Sequence, residues 1–199
     1  MRAIIIFVKN PELGKVKSRL ANSIGEEGAL KVYKYLLEFT HRIIKNTNAD
    51  QLFLFHNEKI IEANKWSILN CENKVQISGS LGEKMKNSFE FVFSKGFDNV
   101  VILGSDCLEI TSKIINEGFS KLENTNVVIG PAKDGGYYLL GLNKVIPSLF
   151  KNMPWSASDL LVETIKKITK EKLNYKLLPV LSDVDYLEDL EGKLDWTKL

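Results

Sequence analysis

Lys9, Lys15, Lys17 and Arg19 crowd into one short segment behind the apolar run AIIIFV at residues 3–8. Lysine and arginine side chains clustered in this way can hold phosphate oxygens, arginine through a forked pair of hydrogen bonds. Ser18 could add a hydroxyl. The segment contains no GxGxxG, and its Gly14-Lys15-Val16 lacks both the hydroxyl and the first glycine of a phosphate-binding GxxxxGK[ST] loop. Two readings stand at this point: a phosphate cradle built from side chains, or a solvated basic loop.

Carboxylates recur where apolar runs end. Asp106 follows NVVILGS at residues 99–105. Opposite a basic loop it could hold a divalent cation, since Mg²⁺ commonly takes one or two protein carboxylates and completes its shell with phosphate and water. It could equally cap the helix that follows. Glu109 reads as surface charge. The segment SDVDYLEDL carries Asp183, Asp185, Glu188 and Asp189. If Val184 points inward, the two aspartates beside it lie on the other side of the chain. One could meet the same cation as Asp106, or Asp185 could simply cap a short C-terminal helix. In GPAKDGGYYLLGL, Asp134 precedes Gly135 and Gly136, with Tyr137 and Tyr138 behind them. That is either an ordinary turn or a carboxylate suited to a sugar hydroxyl or to base catalysis. MPWSASD at residues 153–159 offers Trp155 and Ser156 as a rim over an acceptor, or a core tryptophan and a helix cap. His41 falls within a helical pattern and His56 ends a strand pattern; His56 is expected to be solvated, and neither is assigned as a base.

These side chains need a frame. Unbroken apolar runs at residues 3–8, 51–56, 99–105, 126–130, 137–142 and 175–180, with KVQIS at 74–78, predict strands. Between them Leu30, Tyr33, Leu36, Leu37, Ile43 and Ile44 recur at helical spacing behind a capping-box pattern at residues 23–26. Ser80 and Glu83 repeat that pattern ahead of Met85, Phe89, Val92 and Phe93, with Gly96 as the stop. Further helices are predicted over 111–122 and 158–172. Alternating strands and helices argue for an α/β sandwich with a mostly parallel mixed sheet in one domain spanning residues 1–199. In such sheets ligands gather at the carboxyl ends of the strands, which is where the basic and acidic segments fall.

Composition narrows the function. The 199 residues are 44% hydrophobic and carry a net charge of +2, too balanced for a nucleic-acid coat. No apolar run approaches the ~20 residues of a membrane span, and the first apolar run is too short for a signal peptide. Cys71 and Cys107 form no CxxC and read as free thiols. The expectation is a cytoplasmic protein with small-molecule partners, no nucleic acid and no membrane span, with a homodimer left open.

Taken in order, KNPELGKVKSRL, LGEKM, LGSDC, GPAKDGGYYLLGL, PWSAS and DVDYLEDL resemble the bacterial glycosyltransferase-A-like family catalogued as DUF2064. More distantly the chain is similar to nucleotidyltransferases such as the molybdopterin-cofactor guanylyl- and cytidylyltransferases and phospholactate guanylyltransferase. The resemblance implies a nucleotide-diphospho-sugar transferase (GT-A) fold. It implies nucleotide phosphates on Lys9, Lys15, Lys17 and Arg19, with Leu81 and Gly82 of LGEKM close to the nucleotide. It implies Mg²⁺ or Mn²⁺ on Asp106 and Asp185, with Asp106 and Asp134 as catalytic groups. Gly135, Gly136, Tyr137, Trp155 and Ser156 would line the donor-sugar or acceptor pocket. Leu108 departs from a usual proline, Tyr186-Leu187 from Thr-Pro and Ser18 from threonine; none of these removes a charge. The function implied is metal-dependent glycosyl transfer from a nucleotide sugar to a small-molecule acceptor. Nucleotidyl transfer from an NTP to a phosphorylated small molecule is the alternative, and a non-catalytic nucleotide-binding module the third reading.

Overall fold

The computed structural model describes residues 1–60 and 70–199. Seven strands form one mixed sheet: β1 (Arg2–Val8), β2 (Gln51–His56), β3 (Cys71–Val75), β4 (Asn99–Leu103), β5 (Val127–Pro131), β6 (Tyr137–Leu142) and β7 (Tyr175–Leu177). Their order is β3-β2-β1-β4-β6-β5-β7. β6 runs antiparallel to both neighbours, and the other paired strands are parallel. The central strands are apolar on both faces because helices cover both. Ile4, Ile6, Leu52, Leu54, Val101 and Leu103 face a core shared with α1 (Ser18–Ile44) and α3 (Ser112–Leu122). Their neighbours Ile5, Phe53, Phe55, Val100 and Ile102 face a second core with α2 (Leu81–Ser94) and α4 (Leu160–Lys170). The period-two alternation of the strands thus feeds two helical layers. Fully buried side chains such as Phe53, Phe89 and Phe119 each contribute about 2 kcal/mol through area removed from water.

The predicted capping box of α2 forms. The Ser80 hydroxyl accepts from the Glu83 backbone N–H, while the Glu83 carboxylate accepts from the Ser80 N–H at 2.8 Å. Ser80→Ala is expected to cost about 1 kcal/mol, read as a fall of about 3 °C in thermal midpoint. Gly96, at φ 88°, follows the end of that helix as expected.

Three local expectations need correction. First, the strand expected at residues 74–78 lies at Cys71–Val75. β2 pairs Leu52 with Cys71 and His56 with Val75, so the apolar alternation falls at and beyond the paired edge, with Val75 44% and Ile77 41% exposed. Second, helical structure begins before the Ser23–Glu26 pattern, although a fresh helical run does start there, after Gly25. α1 begins earlier, at Ser18, and breaks at Gly25 (φ 76°, ψ 164°). The added turn is held because Leu20 packs with Val32, Leu36, Val184 and Leu190 in a third apolar cluster. Third, β7 is shorter than the apolar run suggests, since Pro179 cannot donate to the ladder and the chain continues through the single bridge Ala132–Leu181.

That third cluster matters for the site. It docks the C-terminal segment against α1, and so sets residues 183–185 beside residues 17–19.

Candidate active site

A cleft of about 560 Å³ opens at the carboxyl ends of the strands, where the basic and acidic segments meet. Lys9, Lys17, Arg19, Asp106, Asp134 and Asp185 all line it. The loop after β1 is clamped by Tyr33 of α1, whose hydroxyl accepts from the Lys9 N–H at 2.8 Å and donates to the Lys9 carbonyl at 3.0 Å. Burial pushes the Tyr33 phenol up to about 12, so it remains a protonated clamp. Lys17 ends the loop as the residue preceding α1, in the left-handed region at φ 48°, ψ 48°. No side chain caps α1 there. Ser18 and Arg19 open a short helical run beside the cleft, ahead of the break at Gly25.

The acidic half is assembled from two loops. Asp106 lies just beyond β4, and its carboxylate passes so close to Gly104 that a Cβ there would stand 2.7 Å from Oδ1. The Asp106 carbonyl accepts from the Val184 N–H at 2.8 Å, which ties this loop to the C-terminal one. Val184 is fully buried, as the inward reading required. Asp189 Oδ2 accepts from the N–H groups of both Asp185 and Tyr186, each at 2.8 Å, so Asp189 rather than Asp185 holds the start of the following short helix.

Charges of opposite sign then meet. Lys17 Nζ donates to Asp106 Oδ2 at 2.8 Å and reaches Asp185 Oδ1 at 3.4 Å; Arg19 Nη1 donates to Asp185 Oδ2 at 2.8 Å. The Lys17 side chain is only 8% exposed. Burial works against its charge, but Asp106 and then Asp185 outweigh that cost and hold its pKa above the usual lysine value. Asp183 sits behind this pair with Oδ1 buried and without a hydrogen-bond partner. Burial first, then the carboxylates of Asp106 and Asp134, push its carboxyl up to about 8.

The remaining sequence candidates divide. Leu81 and Ser156 line the cleft. Lys15 points elsewhere, with Nζ 2.8 Å from Glu12 and 3.8 Å from Glu58. Gly82 is covered by Trp155, whose Nε1 would be 2.8 Å from a Cβ there, and Trp155 packs on the α2–α4 core. Tyr137 also packs on that core, with its hydroxyl buried and its phenol pushed up by burial. Gly135 and Gly136 shape the turn beneath Asp134, whose Oδ1 accepts from the Gly136 N–H at 2.8 Å. His56 is buried rather than solvated, held by Asn73 at 2.9 Å. Glu109 accepts from Ser182 and pairs with Lys193. Both cysteines are free, as expected.

Sequence reasoning missed Tyr33, Asn57, Gln76 and Lys84, which also line the cleft. Lys84 lay within the quoted LGEKM. The other three had no local signal; Tyr33 reads as one more apolar residue of a helical stripe.

Two carboxylates on facing loops, with a third behind them whose oxygen lacks a partner, suit a divalent cation that completes its shell with phosphate and water. Among the described residues no three His, Cys, Asp or Glu side chains form a ready-made metal centre, so the fit is to an ion shared with a phosphorylated ligand.

The sheet and its flanking layers form the fold of the nucleotide-diphospho-sugar and nucleotidyl transferases. The chain belongs to the family described as "Uncharacterized protein conserved in bacteria (DUF2064)", whose model matches residues 40–157. It is 30% identical to a Desulfovibrio desulfuricans G20 protein provisionally named a nucleotide-diphospho-sugar transferase, with a TM-score of 0.86 over 95% of this chain and 84% of that one. The inositol-1-phosphate CTP transferase of T. maritima shares the fold at 12% identity, with a TM-score of 0.61 over 97% of this chain and 93% of that one. A Mycobacterium tuberculosis H37Rv protein in complex with manganese shares it at 11% identity, with a TM-score of 0.55 over 98% and 97% of the two chains. No curated protein matches the sequence.

Proposed function

We propose that the protein is a divalent-cation-dependent transferase that moves a glycosyl group from a nucleotide sugar to a small-molecule acceptor. The observation that carries this reading is the meeting of Lys17 and Arg19 with Asp106 and Asp185 in one cleft. The 30% identity to the D. desulfuricans protein supports a nucleotide-sugar donor. Lys17 and Arg19 would hold the diphosphate and stabilise it as it leaves. Asp106 and Asp185 would hold Mg²⁺ or Mn²⁺, which when bound supplies Lewis-acid stabilisation of that leaving group. The acceptor hydroxyl forms the new bond to the anomeric carbon as the bond to the diphosphate oxygen breaks. Asp134 takes the hydroxyl proton, its carboxylate steadied by the Gly136 N–H.

A second reading, nucleotidyl transfer from an NTP, is supported by the T. maritima CTP transferase, which shares this fold over 93% of its own length. The same cations would then hold pyrophosphate. A panel of nucleotide sugars and NTPs with Mg²⁺ or Mn²⁺ tests both. The expected result is release of nucleoside diphosphate from one nucleotide sugar, abolished by EDTA. Pyrophosphate release from an NTP would replace the first reading by the second. Binding without turnover of any donor would overturn both.

A further inference from the structure

Lys17 stands in an unusual position for a phosphate-binding lysine: it already has two anionic partners, and they are the two carboxylates assigned above to the cation. We propose that Lys17 and the divalent cation compete for Asp106 and Asp185, so that tight cation binding requires a phosphate group to draw the Lys17 ammonium away. This rests on the cation role given to those aspartates in the proposed function.

Three observations carry it. The Lys17 ammonium lies 2.8 Å from Asp106 Oδ2 and 3.4 Å from Asp185 Oδ1, and Arg19 takes the other oxygen of Asp185 at 2.8 Å. The carboxylate pair is thus bridged by an internal monovalent cation, and a divalent ion entering the same space would meet like charge in a poorly hydrated place. Next, Lys17 is a non-glycine residue held at φ 48°, ψ 48°. L residues avoid that conformation, and when such strain is kept the surrounding structure is over-determining it. Here the Lys17 carbonyl is fixed by the Ala21 N–H at 2.9 Å and the residue is wedged between buried Val16 and Leu20. The backbone is therefore anchored, and the four-carbon stem is the part that can move. Finally, Asp183 Oδ1 is buried behind the pair with no partner. Withdrawal of Lys17 would leave Asp106 without its ion-pair partner and Asp185 with Arg19 alone, beside that unpartnered oxygen, an arrangement that calls for a further positive charge.

Lys17 is then a latch on the cation site. In the protein alone it neutralises the acidic pair and weakens metal binding. When a phosphorylated ligand arrives, its oxygens give Lys17 a second anionic partner, and the carboxylates become available. The two ligands must therefore help one another, because a coupling free energy acts equally in both directions.

The test titrates Mn²⁺ alone into the protein, with free ion measured by electron paramagnetic resonance. Lys17→Met is expected to bind Mn²⁺ at least about tenfold more tightly than wild type, as removal of a like charge at contact distance should give, and the gain should vanish in Lys17→Met/Asp106→Asn. Equal or weaker binding by Lys17→Met, where wild type binds measurably, overturns the latch and leaves the cation role standing. No Mn²⁺ binding by either protein overturns both. A measurement on wild type covers the case of a variant that does not fold. Acylation of lysines read by peptide mass spectrometry should show Lys17 labelling rise several-fold at saturating Mn²⁺ relative to Lys170; unchanged labelling at saturation overturns the latch.

Discussion

Asp106→Asn is expected to lower turnover by at least about a hundredfold while nucleotide affinity changes only a few-fold. The substitution keeps the shape of the side chain that runs close over Gly104 and leaves the backbone bond from the Val184 N–H to the Asp106 carbonyl in place. What it removes is a negative charge beside Lys17 and, in the proposed function, a cation ligand. The loss falls on the chemical step, because the ion's charge matters most as the leaving diphosphate develops its own. Nucleotide affinity is retained because Lys17 and Arg19 remain, and Lys17 is freed of one competing anion. Steady-state rates with the productive donor, set against nucleotide binding by calorimetry, separate the two effects. Turnover equal to wild type would end the assignment of Asp106 to the cation, whatever the affinity.

Gly135→Ala is expected to be the most damaging small substitution in the site region, for steric reasons. Gly135 has φ +89°, and a Cβ there would stand 1.9 Å from the Ser158 carbonyl oxygen and within 2.7 Å of two further Ser158 backbone atoms. Side chains can swing aside from such a clash, but this backbone cannot do so cheaply. The turn is pinned on one side by the Gly135 N–H donating to Ala132 and on the other by the Leu161 N–H donating to the Gly135 carbonyl at 2.9 Å. Relief requires either the start of α4 or the Asp134 turn to move. A cost of about 3 kcal/mol follows from strain and overlap together, seen as a fall of about 10 °C in thermal midpoint. Gly25→Ala is the natural control. It shares the positive φ, at +76°, but nothing lies within 4 Å of its Cβ position, so only the backbone strain of about 1–2 kcal/mol is expected there. Equal midpoints for the two variants would show that the Ser158 contact does not govern the turn.

These two positions are only partly legible in the sequence. Asp106 stands out as a carboxylate after an apolar run, since four residues of unbroken valine, isoleucine and leucine announce a strand covered on both faces and hence its end. Gly135 was recognisable as a turn glycine, but its partner, Ser158, comes from the start of α4. Lys15 and Lys17 share a residue type and a loop and differ by two positions, yet Lys15 pairs with local Glu12 while Lys17 reaches Asp106 and Asp185. Asp183 and Asp185 flank one buried valine in the way period-two geometry requires. Nothing local distinguishes the one with a buried, unpartnered oxygen from the one paired with Lys17 and Arg19.

Taken alone, then, the order of residues determined the periodicities: which stretches are strands buried on both sides, which helices carry an apolar stripe, and that charged segments follow the strand ends. Those are short-range properties, written in spacings of two and of three to four residues. The order β3-β2-β1-β4-β6-β5-β7 and the packing of Val184 and Leu190 onto Leu20, Val32 and Leu36 were decided by the tertiary structure. They bring residues 17, 106 and 185 within a few ångströms across more than a hundred positions of chain. Such contacts depend on how much apolar surface distant segments bury together, a sum over the whole molecule that no local spacing records.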